Sequence, residues 1–86
     1  MSRIYADFNN ADPLGRLRLN TLGTFEDLDR QRLALYEGEN FLFHDEELEA
    51  SGTVAYSVAE RIWVAVIDWD AVQPARTTRT AVPIAA

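Results

Sequence analysis

His44 is the only histidine of the chain and therefore its one conceivable imidazole base. Asp45, Glu46 and Glu47 follow it directly and Ser51 and Ser57 come soon after, so a serine, histidine and carboxylate arrangement for hydrolysis can be drawn from the residue types present. No nucleophile-elbow motif stands behind the drawing. Following Phe43 at the end of a β-prone stretch, His44 reads first as a half-exposed surface side chain, and no other catalytic candidate arises.

A second group gathers at Asp68-Trp69-Asp70. If the apolar run before it continues as a strand, the two carboxylates share one face with Cα atoms about 7 Å apart, where they could act as an acid and base or receive a cationic partner. Aspartates at a strand end more commonly stop pairing and keep the end soluble. Trp69 offers a large flat surface of the kind enriched at interfaces, so Trp69, Asp68, Asp70 and Tyr56 are the candidate binding residues. Neither acidic stretch suits a metal. Asp45, Glu46, Glu47 and Glu49 lack the alternation and central glycine of a calcium loop, and in Asn10-Ala11-Asp12-Pro13-Leu14-Gly15 a leucine occupies a ligand position. No metal site and no cofactor is expected.

Composition removes further chemistries. There is no cysteine, which excludes disulfides, thiolate metal sites and thiol nucleophiles, and no lysine, which excludes Schiff bases and a Walker-type phosphate lysine. Fourteen Asp and Glu face eight arginines, a net charge of −6 that repels a phosphate backbone. Direct nucleic-acid binding is disfavoured, with an Arg3, Arg16 and Arg18 patch as the one local exception. Such acidity suits solubility, and it would also suit a nucleic-acid mimic that occupies a basic protein. The first residues lack the apolar core of a secretory signal and no stretch approaches the roughly 20 apolar residues of a membrane span, so a cytoplasmic protein without membrane contact is expected. Absence of lysine fits a GC-rich, bacterial coding sequence.

The elements that must position these groups follow from periodicity. Ile62-Trp63-Val64-Ala65-Val66-Ile67 is apolar at both phases of a strand, Trp63, Ala65 and Ile67 on one face and Ile62, Val64 and Val66 on the other, which predicts a strand covered on both sides. Arg3 to Phe8 and Arg16 to Thr21 alternate around a turn-rich stretch and should pair as a hairpin. Thr24-Phe25-Glu26-Asp27 fits a capping box and starts a short helix, followed by a switch into strand over Arg32 to Tyr36. Beyond the punctuation of Glu37-Gly38-Glu39-Asn40, further strands are expected at Phe41-Leu42-Phe43 and from Leu48 to Tyr56, the latter with Gly52 as a bulge or bend. A tight connection at Val58-Ala59-Glu60-Arg61 leads into the central run.

The stretch Leu35-Tyr36-Glu37-Gly38-Glu39-Asn40-Phe41-Leu42-Phe43, then Gly52-Thr53-Val54-Ala55-Tyr56 and Arg61-Ile62-Trp63-Val64-Ala65, resembles the middle strands of SH3-like small barrels. The likeness covers about half of the chain and implies architecture only, because a proline-reading groove has no counterpart here. The expected fold is mainly β, a small antiparallel, SH3-like, partly open barrel of five to six strands with one short helix. Residues 1–72 form this single domain and residues 73–86 a tail, mobile or docked on a partner. The surplus of apolar strand surface predicts a non-catalytic module that oligomerises, or binds another protein or a small ligand, with Ile62, Val64, Val66, Val82 and Ile84 at the subunit interface.

Overall fold

The computed structural model describes residues 1–75. Among them, β1 (Arg3–Tyr5), β2 (Leu17–Arg18), α1 (Leu22–Gln31), β3 (Asn40–His44), β4 (Leu48–Ser57), β5 (Ile62–Ile67) and β6 (Gln73–Pro74) follow one another, with a 3-10 turn at Trp69–Ala71. The strands form one curled sheet in the order β1-β3-β4-β5-β2, with β6 joining β4. This is the expected mainly β half-barrel with one helix. The expected wholly antiparallel sheet is corrected in one place, since β1 runs parallel to β3, with Ile4 opposite Phe43 and Tyr5 opposite His44. A parallel pair needs a long crossover, and β2 and α1 are carried within it.

The concave face makes the core. Ile4, Leu17, Phe41, Phe43, Ala50, Val54 and Ala65 point to this side and are buried, joined by Phe8, Leu19 and Leu28 from outside the ladders. Period-two alternation puts Phe41 and Phe43 together, their rings edge to face at 6.0 Å. Gly52 is no bulge or bend. It keeps register between Phe41 and Ile67, and a Cβ there would come within 2.7 Å of Ile67 Cγ2 and 2.9 Å of the Val66 carbonyl oxygen. Glycine is needed for that approach.

Three local expectations fail for identifiable reasons. The hairpin between Arg3–Phe8 and Arg16–Thr21 does not form. A turn closed by Asn10 N–H to the Asp7 carbonyl ends the first segment, and Leu17 pairs instead with Ala65 of β5, leaving a single bridge to Ala11. The helix cap is Thr21, whose side chain accepts from Thr24 N–H, so Thr24 sits inside the helix and Asp27 is freed for another task. Arg32 to Tyr36 is not a strand. Arg32 takes a left-handed conformation, φ 57°, and Leu33 N–H bonds the Leu28 carbonyl in a Schellman-type stop, after which Leu33 and Leu35 pack on the core without a ladder.

Both lateral margins of the sheet are covered. On β1, the side away from β3 meets α1: Tyr5 N–H donates to Asp27 Oδ2 at 2.7 Å, Thr24 Oγ1 donates to the Tyr5 carbonyl at 2.6 Å, and Gln31 Nε2 donates to the Arg3 carbonyl at 2.8 Å. Positions 24, 27 and 31 lie on one helix stripe, so helix side chains serve where a neighbouring strand would. On β2, Arg18 N–H bonds the Asn10 carbonyl and Asp12 N–H the Arg16 carbonyl.

β4 is flanked by β5 from Gly52 to Ser57 and, after an excursion over residues 68–72, by β6 at Leu48 and Glu49. Ala75 N–H adds a bond to the Glu47 carbonyl. The remainder of the tail, with Val82 and Ile84, lies outside the described residues. No helix among the described residues is long and apolar enough to cross a membrane.

Candidate functional site

Two surfaces stand out, both on the side of the sheet from which Leu42 and His44 project. The first is a groove of about 550 Å³ between the end of β1, the end of β3 and the first turns of α1. Tyr5 and His44, opposite each other in the parallel ladder, form its floor, their rings edge to face at 6.1 Å. Gly23 lets α1 come this close, since a Cβ on it would lie 2.7 Å from Tyr5 Cδ1. Asp7, Glu26 and Glu46 line the groove with Asp27. The Tyr5 hydroxyl is held above its ordinary pKa by burial first, then by the negative charges of Glu46, Asp7 and Asp45.

Asp27 is committed structurally. Its carboxylate takes Tyr5 N–H and the Arg30 guanidinium, and His44 Nε2 stands 3.9 Å from Oδ2. His44 therefore faces a carboxylate from the helix, while its Nδ1 lies 3.4 Å from the Asp45 carbonyl oxygen. The serines of the drawn triad are elsewhere. Glu49 is the cross-strand partner of His44, which puts Ser51 at a diagonal position roughly 7 to 8 Å off and Ser57 about 26 Å along the strand. Ser57 Oγ is also engaged, accepting from Arg16 and from Glu60 N–H. Asp45 accepts the amides of Phe8, Glu47 and Leu48 and shapes the loop. Among the described residues no three His, Asp or Glu side chains converge as metal ligands would.

The second surface is the convex face of the sheet. Period-two geometry places Leu42, Ser51, Thr53, Ala55, Ile62, Val64 and Val66 there, and a depression of about 410 Å³ opens beside Val66 between Met1, Asn40, Thr53 and Asp68. Double-sided cover of the central strand is present at Val64 and Ala65, both 0% exposed, and stops at Val66, which is 46% exposed. Val64 is enclosed by its own chain, between Arg18 and Ala55 in register, and Ile62 is half-buried.

Trp69, Asp68 and Asp70 do not continue the strand. Asp68 caps the 3-10 turn by accepting Asp70 N–H at 3.0 Å, so the two carboxylates are not a face-sharing pair. Trp69 turns back over the N-terminal loop, its indole N–H donating to the Gly15 carbonyl at 2.7 Å and its ring meeting Phe8 edge to face. Gly15, at φ +81°, supplies the conformation this contact needs. Tyr56 packs on Trp63 at 5.1 Å and keeps 39% of its surface.

Sequence reasoning missed Tyr5, Gly23 and the helix-lined groove. Their convergence depends on β1 pairing in parallel with β3, a long-range choice that no local pattern encodes. No family model, curated protein or solved structure matches the chain.

Proposed function

We propose that the protein is a small non-catalytic association module, an SH3-like half-barrel that pairs with a second copy of itself across the convex face of its sheet. The observation that supports this reading is the distribution of charge. The described residues carry six arginines against fourteen carboxylates, and four of those arginines are spent on Glu49, Asp12, Glu60 and Asp27 of the same chain. Two such bodies repel each other over most of their surface. The side chains of Leu42, Ser51, Thr53, Ala55, Ile62 and Val66 carry no charge, and the arginines that border them, Arg3 and Arg18, are paired with Glu49 and Glu60. This is therefore where two copies approach at least cost, and the exposed side of Val66 gains cover there.

The test is sedimentation velocity between about 1 and 100 µM, a range that brackets a weak specific dimer. The parent chain should move from monomer to dimer, more readily as salt screens the like charges. Val66→Glu should stay monomeric with an unchanged far-UV spectrum. A parent chain that remains monomeric at every concentration and salt ends the proposal. The acidic shell supports a second reading, capture of a basic protein in the manner of a nucleic acid, and salt separates the two because that complex weakens as ionic strength rises.

A further inference from the structure

Helix α1 is held to the sheet by few contacts. It has ten residues, too few to persist alone in water, and of its apolar side chains only Leu28 is buried while Leu22 and Phe25 face solvent. What remains is polar: Thr24, Asp27 and Gln31 reach the backbone of β1, and Asp27 Oδ2 takes Tyr5 N–H at 2.7 Å. One added or lost bond at Asp27 is enough to bias an element docked this thinly.

His44 stands where it can supply that bond. It is the chain's only histidine, and histidine is the side chain whose ordinary titration lies between pH 5 and 8. Both of its ring nitrogens face oxygen acceptors: Nε2 lies 3.9 Å from Asp27 Oδ2, and Nδ1 lies 3.4 Å from the Asp45 carbonyl oxygen. A neutral imidazole has one N–H and serves one of the two acceptors; the imidazolium has two and serves both. The charges around the ring favour the second form. From α1 come Glu26 and Asp27, the latter shared with Arg30, from the segment after β1 Asp7, and from the loop after β3 Asp45 and Glu46. On β4 the register partner is Glu49, engaged by Arg3 and Gln73, and on β1 Tyr5 meets the His44 ring edge to face.

We infer that His44 and Asp27 form a proton-operated clamp: a proton on the imidazole draws Nε2 onto Asp27 Oδ2, adding a charge-assisted bond between β3 and α1, and its loss slackens the helix on the edge of β1. The added hold is present on the acid side of the ordinary histidine range, near pH 6.5, and is lost as pH rises through it.

The experiment is amide hydrogen exchange of the full-length chain, read by NMR at about pH 8 and about pH 5.5, each rate divided by the intrinsic rate at that pH. Protection of Tyr5 N–H and of the Leu28 and Gln31 amides of α1 should rise roughly three- to tenfold at the lower pH, relative to Phe43 N–H in the core. His44→Gln keeps a polar side chain that takes up no proton, and its protection ratio should be the same at both pH values. Asp27→Asn keeps an oxygen for Tyr5 N–H, so α1 should stay docked while the rise disappears. A parent chain whose ratio is unchanged or lower at acid pH overturns the inference. So does a rise that survives His44→Gln, which assigns the effect to the carboxylates, or one that survives Asp27→Asn, which removes the helix as the partner.

Discussion

At Asp12 a carboxylate that is 6% exposed accepts hydrogen bonds from Leu14 N–H, Arg16 N–H and Arg16 Nε, fixing the loop between β1 and β2. Burial alone would raise its pKa, but the accepted bonds and the Arg16 charge outweigh burial and hold the carboxyl below the ordinary range. A depressed native pKa means the stabilisation is complete above the unfolded value near 4 and is lost as pH falls through the native one. Thermal melts from pH 6 to pH 2 should therefore show the parent chain losing stability below about pH 4, with a shallower decline in Asp12→Asn. At pH 7 that variant should be less stable by about 1 to 3 kcal/mol. Gly52 makes the opposite kind of point. A residue read from sequence as a bulge or bend proves to be a place where Ile67 and the Val66 carbonyl leave no room, a fact that depends on a strand ten or more positions away and is invisible locally. Gly52→Ala should cost on the order of 1 to 3 kcal/mol by overpacking, measured by urea denaturation; an unchanged midpoint would show that β5 yields freely.

Among the elements, β3, β4 and β5 were legible because each carries its own period-two signal and its own punctuation, down to the turn at Glu60 and Arg61. Arg61 N–H closes that turn on the Ser57 carbonyl, with Arg61 at φ 58°. What was not legible was every decision that one segment makes on behalf of another. Leu17 and Leu19 alternate correctly for a strand, yet nothing in them names β5 as the partner. Thr24 and Asp27 fit a capping box, yet Thr21 caps, and both residues turn to β1. The groove inherits this blindness, since its two walls are elements whose docking sequence alone did not foresee. Asp27→Ala is the direct probe: with the part-buried Tyr5 amide left without its acceptor, the chain should lose about 1 to 3 kcal/mol. Amide exchange at Tyr5 should accelerate more than at Phe43, and equal acceleration at both would mean that α1 does not act as the cover of β1.

On the scale of the whole molecule, an acidic shell encloses a small core, and the convex side of the sheet carries an uncharged stretch from Leu42 to Val66 bordered by the Arg3–Glu49 and Arg18–Glu60 ion pairs. Composition made the acidity plain at the outset, and the two-phase hydrophobicity of residues 62–67 marked the strand at the centre. It could not say that cover would end at Val66, because that depends on how far β2 and the chain beyond it reach across the convex side. Raising salt at pH 7 should increase the melting temperature, since repulsion among the unpaired carboxylates outweighs the four ion pairs that salt also screens; a falling temperature would reverse that ranking.

A β-sheet whose outermost backbone groups are unoccupied is a template on which further chains can be laid down, one after another, into a fibre. Here Thr24, Asp27 and Gln31 have taken the donors and acceptors of β1, and Asn10 to Asp12 those of β2. Crowding such molecules together therefore finds these two margins already occupied, and a foreign strand has no free row of backbone groups on β1 or β2 from which to begin a fibre.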